Sequence, residues 1–329
     1  MIKSLQSWDW METTMKNDVK AIASELLSYD AVTIITHIRP DGDTLGSAYA
    51  LYHALKKHNK TVQVVCETEI SPRYRFISEN KANIANECYG KIVCVDIAAI
   101  DMAGAKYIDY AKKADIVIDH HDTNIGYGKL NLIRPEAAAC GEIMFDLIKE
   151  LCDIDKCIAN CLYTAISTDT GCFVYANTTA NTHAVAAELL KCDIDIEKLN
   201  KWLFRTKSKA AFEIQKHALE SLEYYFDNKI VTMLIPLDII KRLNATEDDI
   251  EGLASIPGQI EGVIATATFR QTEKDTYKLS VRTNGDIHAG AVCKLFGGGG
   301  HKMAAGCTLT GEYKKLAPLF ADKLYENLK

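Results

Sequence analysis

No apolar run in this chain approaches the roughly 18–20 residues that a membrane-spanning helix requires. The stretch Met1–Lys20 is polar and mixed in charge, without the apolar core of a secretion signal. With both features missing, a cytoplasmic location and no membrane partner are expected. No two cysteines are spaced CxxC, and the eleven present are odd in number and scattered. Several lie inside apolar runs, as Cys94 does in Lys91–Asp96 and Cys161 in Ile158–Ile166, so buried, reduced thiols are the better reading than a structural zinc site. Positive charge is also short. A net charge of −6 argues against a long, non-specific grip on nucleic acid, yet leaves room for a small anion in a locally basic pocket. Repeats and low-complexity tracts are absent too. What is there, 48% hydrophobic and 25% charged over 329 residues, is the composition of a globular chain with room for two cores.

Strand-like and helical stretches alternate through the first half. Ala31–Thr36, Thr61–Cys66, Lys91–Asp96 and Asp115–Asp119 are β-branched and apolar, the pattern of strands buried on both faces. Thr44–His58 and Gly141–Leu151 are helix-like, as are Cys157–Thr168 and Asn181–Cys192. Such alternation predicts an α/β domain over residues 1–190, a parallel sheet with helices on both faces. Residues 191–226 are helical and charged, with Trp202, Leu203 and Phe204 as anchors, and read as a connector. A smaller α+β domain over residues 227–329 follows. Its expected strands are Lys229–Ile235, Gly262–Arg270 and Tyr277–Arg282, and its helices Ala289–Phe296 and Tyr313–Leu328.

Chemistry gathers at the strand ends. The first strand runs into His37-Ile38-Arg39-Pro40-Asp41-Gly42-Asp43, where Pro40 and Gly42 fix a tight turn and let His37, Asp41 and Asp43 share one space. The third strand ends on Asp96, and the fourth on Asp119-His120-His121. A later helix ends near Asp169. In an open parallel sheet the carboxyl ends of the strands border one crevice, so five carboxylates and three imidazoles converge. Taken singly, Asp41 could be a turn residue, Asp43 the N-cap of Thr44–His58 and Asp169 a harmless helix end; it is their coincidence that points to a site. Carboxylates this close raise one another's pKa unless cations intervene. Mixed Asp and His without Cys suits manganese, with iron, cobalt or zinc as alternatives, and the ligand count fits two ions. His53, His58, His183, His217 and His288 have no acidic companions at ligand spacing. His301 differs, because it follows Gly297-Gly298-Gly299-Gly300 and precedes Lys302. The glycine run is expected to leave backbone N–H groups free for an anion, and with Arg282 it reads as a phosphate pocket.

These pieces resemble the DHH phosphoesterases that carry a DHH-associated C-terminal domain, above all the nano-RNase/pAp phosphatase branch. The matching runs are HIRPDGD (His37–Asp43), VCVD (Val93–Asp96), DHH (Asp119–His121), STDTGCF (Ser167–Phe173), LSVR (Leu279–Arg282) and GGGGHKMAAG (Gly297–Gly306), in family order. The resemblance implies two Mn2+ ions, with Mg2+ or Co2+ as weaker substitutes. One would be held by His37, Asp41 and Asp96, the other by Asp43, Asp96, His120 and Asp169. Asp119 would orient a histidine and His121 would face the reacting phosphate. Arg282 and His301, with Gly298, Gly299 and Gly300, would bind the substrate.

The implied activity is hydrolysis of short oligoribonucleotides to mononucleotides, and of pAp to AMP. Linear dinucleotides such as pApA or pGpG are alternative substrates, a non-catalytic nucleotide sensor is the alternative class, and a homodimer is admitted. Ile97-Ala98-Ala99-Ile100-Asp101 stands where many relatives carry a hydroxyl-rich turn after the bridging Asp, so substrate contacts there depart from the family pattern.

Overall fold

Valine- and isoleucine-rich runs build the first sheet of the computed structural model, which describes residues 18–78, 85 and 87–328. The polar stretch Met1–Lys20 lies, up to residue 17, outside them. The described residues fall into two compact units that divide between Thr206 and Lys207, so the expected connector is shared between them.

Unit 1 holds five parallel strands in the order β2-β1-β3-β4-β5. They are β1 (Ala31–Ile35), β2 (Thr61–Val65), β3 (Lys91–Val95), β4 (Ile116–Asp119) and β5 (Leu130–Ile133). Side chains alternate across this sheet. Val32, Ile34, Val93, Val95, Ile116 and Ile118 enter the main core, under the helices α1 (Val19–Ser28), α2 (Gly42–Lys57), α3 (Cys140–Leu151) and α4 (Lys156–Asp169). Ile35, Val65, Ile92, Cys94 and Val117 face a thinner layer built from Ile97, Ala103, Tyr107, Ala111 and Ala114. Among the described residues that second layer carries two short helical turns, Ile100–Ala103 and Ile108–Ala111. The helix α5 (Ala180–Leu190) follows, and the short helical stretches Ile196–Asn200 and Lys201–Arg205 close the unit.

Register explains the site's position. β1 pairs with β2 on one side and with β3 on the other, so the chain reverses its direction of winding between β1 and β3. In such sheets the crevice opens at the carboxyl ends of the two strands flanking that switch. One expected boundary moves: α2 begins at Gly42, and Asp41 rather than Asp43 is its N-cap, accepting from the N–H groups of Asp43 at 3.0 Å and Thr44 at 3.1 Å.

Close packing of α2 on α4 depends on a missing side chain. A methyl group on Gly46 would strike the carbonyl of Cys161 and come within 2.8 Å of the Ala165 nitrogen.

Unit 2 is a six-stranded mixed sheet in the order β10-β11-β9-β8-β7-β6. The members are β6 (Glu223–Tyr225), β7 (Ile230–Ile235), β8 (Ala265–Glu273), β9 (Thr276–Thr283), β10 (Gly299–Gly300) and β11 (Ala304–Thr310). The strand expected from Gly262 starts instead at Ala265, because Gly262 takes a left-handed φ of 82° that belongs to a turn. Phe269, Leu279 and Val281 pack one face against α7 (Ala289–Lys294) and α8 (Tyr313–Glu326), through Val292, Ala317 and Phe320. α6 (Lys209–Glu220) covers part of the other face, where Ile214 and Ala218 meet Met233 and Ile235. Among the described residues no helix is long and apolar enough to cross a membrane.

Candidate metal centre

Each residue of the cluster stands where regular structure stops. His37 follows β1, and the chain there is pinned by Ile38 N–H to the Met102 carbonyl at 2.7 Å. Asp41 and Asp43 occupy the cap and first turn of α2. Asp96 follows β3 and keeps one ladder bond, its N–H to the Ile118 carbonyl at 2.9 Å. Its φ is 58°, a left-handed conformation that aspartate tolerates better than most residues. Asp119 ends β4, His120 and His121 come next, and Asp169 ends α4.

These eight side chains do come together. Nε2 of His37 lies 3.6 Å from Asp41 Oδ1 and 3.8 Å from Asp96 Oδ2. Nε2 of His120 lies 3.7 Å from Asp43 Oδ2, 3.6 Å from Asp96 Oδ1 and 3.8 Å from Asp169 Oδ2. Those separations are too long for hydrogen bonds. They are near the roughly 3.0–3.5 Å expected between ligands that each sit about 2.1 Å from one ion. Three overlapping groups among the described residues, His37/Asp41/Asp96, Asp43/His120/Asp169 and Asp96/His120/His121, could hold a cation, and the two oxygens of Asp96 face His37 on one side and His120 on the other. The buried Oδ1 of Asp96 has no hydrogen-bond partner among the described residues. A buried carboxylate oxygen left that way is costly, and a cation relieves it. The donor set therefore fits a pair of divalent ions.

Sequence reasoning missed the supports. Asp43 is clamped by the N-terminus of α3: Cys140 N–H donates to Oδ2 at 2.7 Å and Gly141 N–H to Oδ1 at 2.9 Å, while Ser47 Oγ adds a bond to Oδ1 at 3.1 Å. Asp119 is a hub. It accepts from the His120 N–H at 2.8 Å, from Asn124 Nδ2 at 2.6 Å, and sits 2.8 Å from His121 Nδ1. Asn177 Nδ2 donates to the Ala138 carbonyl at 2.9 Å and to the Asp169 carbonyl at 3.1 Å, tying the α4 terminus to the start of α3. Backbone amides leave no letter in a sequence, and a lone asparagine in a turn looks like any other.

Burial, followed by repulsion from Asp169 and Asp41, drives the Asp43 carboxyl well above its usual pKa. Burial and then Asp43, Asp41, Asp119 and Asp169 do the same to Asp96. Asp169 is raised as well, again chiefly by burial. Asp119 goes the other way: burial opposes it, but hydrogen bonds from His121 and Asn124 hold it below the usual range. The bond to Asp119 raises His121, which therefore keeps its proton more readily. Its side chain is 38% exposed against 15% for His120, so His121 is the histidine that solvent can reach.

The model described as "DHH family, N-terminal domain" matches residues 31–166, and the DHHA1 domain matches residues 227–328. The bifunctional oligoribonuclease and PAP phosphatase NrnA of Thermus thermophilus is 31% identical over 302 residues, which cover 90% of this chain and 87% of that protein. The chain belongs to the DHH family. Among solved structures, an exopolyphosphatase-related protein from Bacteroides fragilis shares the fold with a TM-score of 0.84 at 24% identity, covering 94% of this chain and 96% of that one. RecJ from Thermus thermophilus, in complex with Mn2+, shares it with a TM-score of 0.53 at 14% identity, covering 95% of this chain and 54% of that one.

In the DHHA1 region the expected anion cradle needs correcting. The N–H groups of Gly297, Gly298 and His301 are not free: they bond to the carbonyls of Lys294 at 3.2 Å, Cys293 at 2.9 Å and Ala304 at 2.8 Å. Gly298 and Gly300 serve close approach instead: a methyl at Gly298 would strike the Gly306 carbonyl and one at Gly300 would meet Ala305 Cα at 2.6 Å, while Gly299 and Gly300 pair with Gly306 and Ala305. A cavity of about 420 Å³ opens beside this hairpin, lined by Gly297, Gly298, Gly299, Lys278, Phe296 and Thr308, among others. Arg282 is exposed on β9 opposite Ala304, with Nη1 donating to the Val281 carbonyl at 3.0 Å. His301, bonded through its N–H to that same Ala304, is exposed at the same end of the sheet.

Proposed function

We propose that this DHH-family protein is a metal-dependent phosphoesterase that hydrolyses short oligoribonucleotides to mononucleotides and pAp to AMP. The observation that carries the reading is Asp96, a buried carboxylate whose two oxygens each face a different group of His and Asp ligands. His37, Asp41 and Asp96 would hold one ion, and Asp43, Asp96, His120 and Asp169 the other. We assign manganese, because imidazole mixed with carboxylate disfavours magnesium's oxygen-only octahedron. A bound pair of such ions supplies a nucleophilic water at neutral pH and positive charge against the phosphoryl oxygens.

The protein's own groups do the rest. Asp119 fixes the His121 ring through Nδ1 and stabilises its charged form, which leaves Nε2 as a proton donor to phosphoryl oxygen or leaving group. The α3 amides and Ser47 hold Asp43 in one rotamer, so a substrate meets a rigid site. Arg282, His301 and the Lys278-lined cavity beside the glycine hairpin would bind the nucleotide's phosphate and base. The substrate class is the one named for the Thermus thermophilus relative. The net charge of −6 favours short substrates, because a long strand needs a basic track.

The test is a substrate panel with manganese-loaded protein: pAp, ribonucleotides of two to five residues, and a 25-mer. Turnover of pAp and the short RNAs, with the 25-mer poor, is expected. No turnover of any of them would overturn the reading, and equal kcat/KM on a dinucleotide and the 25-mer would overturn the length preference.

A further inference from the structure

Just past its metal ligand Asp169, the end of α4 turns two apolar side chains outward. Gly171, Cys172 and Phe173 take left-handed φ values of 56°, 59° and 67° in succession, which folds the chain back on itself. The N–H groups of Val174 and Tyr175 both reach the Thr170 carbonyl, at 2.9 and 3.0 Å, and the Tyr175 carbonyl accepts from Thr178 N–H at 3.1 Å. Phe173 packs inward against the main core, stacked on His183 with ring centroids 5.3 Å apart. Val174 and Tyr175 go the other way and are 79% and 60% exposed.

Exposure alone would mean little; what sets Tyr175 apart is how its ring is held. A methyl on Gly171 would meet Cζ, Cε1 and Cε2 of that ring at 2.4, 2.5 and 2.7 Å. A ring met edge-on would place one of these three atoms much farther off than the others, so its face rests on the glycine. With 60% of the residue exposed and one face covered, the opposite face is open to solvent. Gly171 is needed twice, for its φ and for the space the ring takes up. It stands two residues after Asp169, so its Cα is within about 7 Å of that ligand's Cα. Such a reach is comparable with the distance from the phosphate of a nucleotide to its own base.

Given the phosphoesterase reading, we propose that the open face of Tyr175 is a stacking platform for one nucleobase of the substrate, a subsite separate from Arg282 and His301. A phosphate held at the metal centre brings a flanking base to the ring. Stacking accepts any base, because every base has a π-face, and this suits short RNAs of mixed sequence. The glycine behind the ring and the pinned backbone on either side fix the platform before substrate arrives, so little ordering is left to binding.

The manganese-loaded protein is given the dinucleotide pApA and its two singly abasic forms. Removing the base that stacks should cost the unaltered protein roughly 5- to 150-fold in kcat/KM. Tyr175→Leu should lose a similar factor on pApA and much less on the form that lacks that base, while Tyr175→Phe should follow the unaltered protein. Equal losses for Tyr175→Leu on all three substrates would overturn the platform, because the ring would then serve the fold or another surface. Binding is read separately from catalysis. Dinucleotides with 2-aminopurine at each position in turn are mixed with the protein by stopped flow. One of them should lose fluorescence before turnover, and lose less in Tyr175→Leu. Equal quenching in both proteins would overturn the platform whether or not the dinucleotide is cut. Quenching that depends on Tyr175, with no dinucleotide hydrolysed, would uphold the platform and overturn the phosphoesterase reading.

Discussion

At the scale of single residues, Asp96 concentrates the argument. It combines a left-handed backbone, a buried unpartnered oxygen and contact with both ligand groups. Asparagine tolerates the same φ, so Asp96→Asn removes the charge with little backbone penalty. We expect that variant to keep its circular dichroism spectrum, bind at most one metal ion by elemental analysis, and retain no more than a few per cent of turnover. Retention of two ions with normal turnover would exclude the bridging role. The eight clustered residues were legible in the sequence because each is a chemically unusual side chain at a strand or helix end. Asn124, Asn177 and the Cys140 and Gly141 amides were not, because their importance lies in what they point at.

Among the elements, the long apolar strands and amphipathic helices were readable from their periods, with ends shifted by a few residues. β5 was missed because Leu130-Asn131-Leu132-Ile133 is four residues long with a polar member. β11 was missed because Ala304-Ala305-Gly306 looks like an extension of the glycine run. Gly46 shows packing overruling propensity. Glycine inside a helix costs about 1 kcal/mol relative to alanine, yet here only glycine lets α2 approach the α4 backbone. Gly46→Val should lower stability by about 1–3 kcal/mol or more, seen as a lower urea midpoint at unchanged slope. An unchanged midpoint would mean the two helices can part without cost.

For the whole molecule, the buried acids couple folding to metal. A carboxyl whose pKa is higher folded than unfolded favours the folded state below about pH 4, and gives up that contribution as pH rises through its folded value. Asp43, Asp96 and Asp169 are all of this kind, and His121, also raised, has the same sign from about pH 6.5 upward. Asp41 and Asp119 are lowered and titrate below this window. Metal-free protein should therefore lose Tm between pH 5 and pH 8, and manganese should reverse the loss. A metal-free Tm that rises over the same interval would contradict the electrostatics. The two compact units also predict separable defects. Arg282→Ala should cut kcat/KM for pAp by roughly 10- to 150-fold, the worth of a charge-assisted phosphate contact. The small ester bis-p-nitrophenyl phosphate should be much less affected, and equal losses on both would remove Arg282 from nucleotide binding.

The α3 amides that grip Asp43 have a use beyond catalysis. Cys140 and Gly141 offer their N–H groups to a carboxylate 97 and 98 positions away, so their exchange with deuterated solvent reports on that one side chain. Protonating Asp43 weakens both bonds, and a cation that locks the carboxylate strengthens them. Two amide resonances could thus meter the occupancy of the second ligand group in the resting protein, with no substrate present.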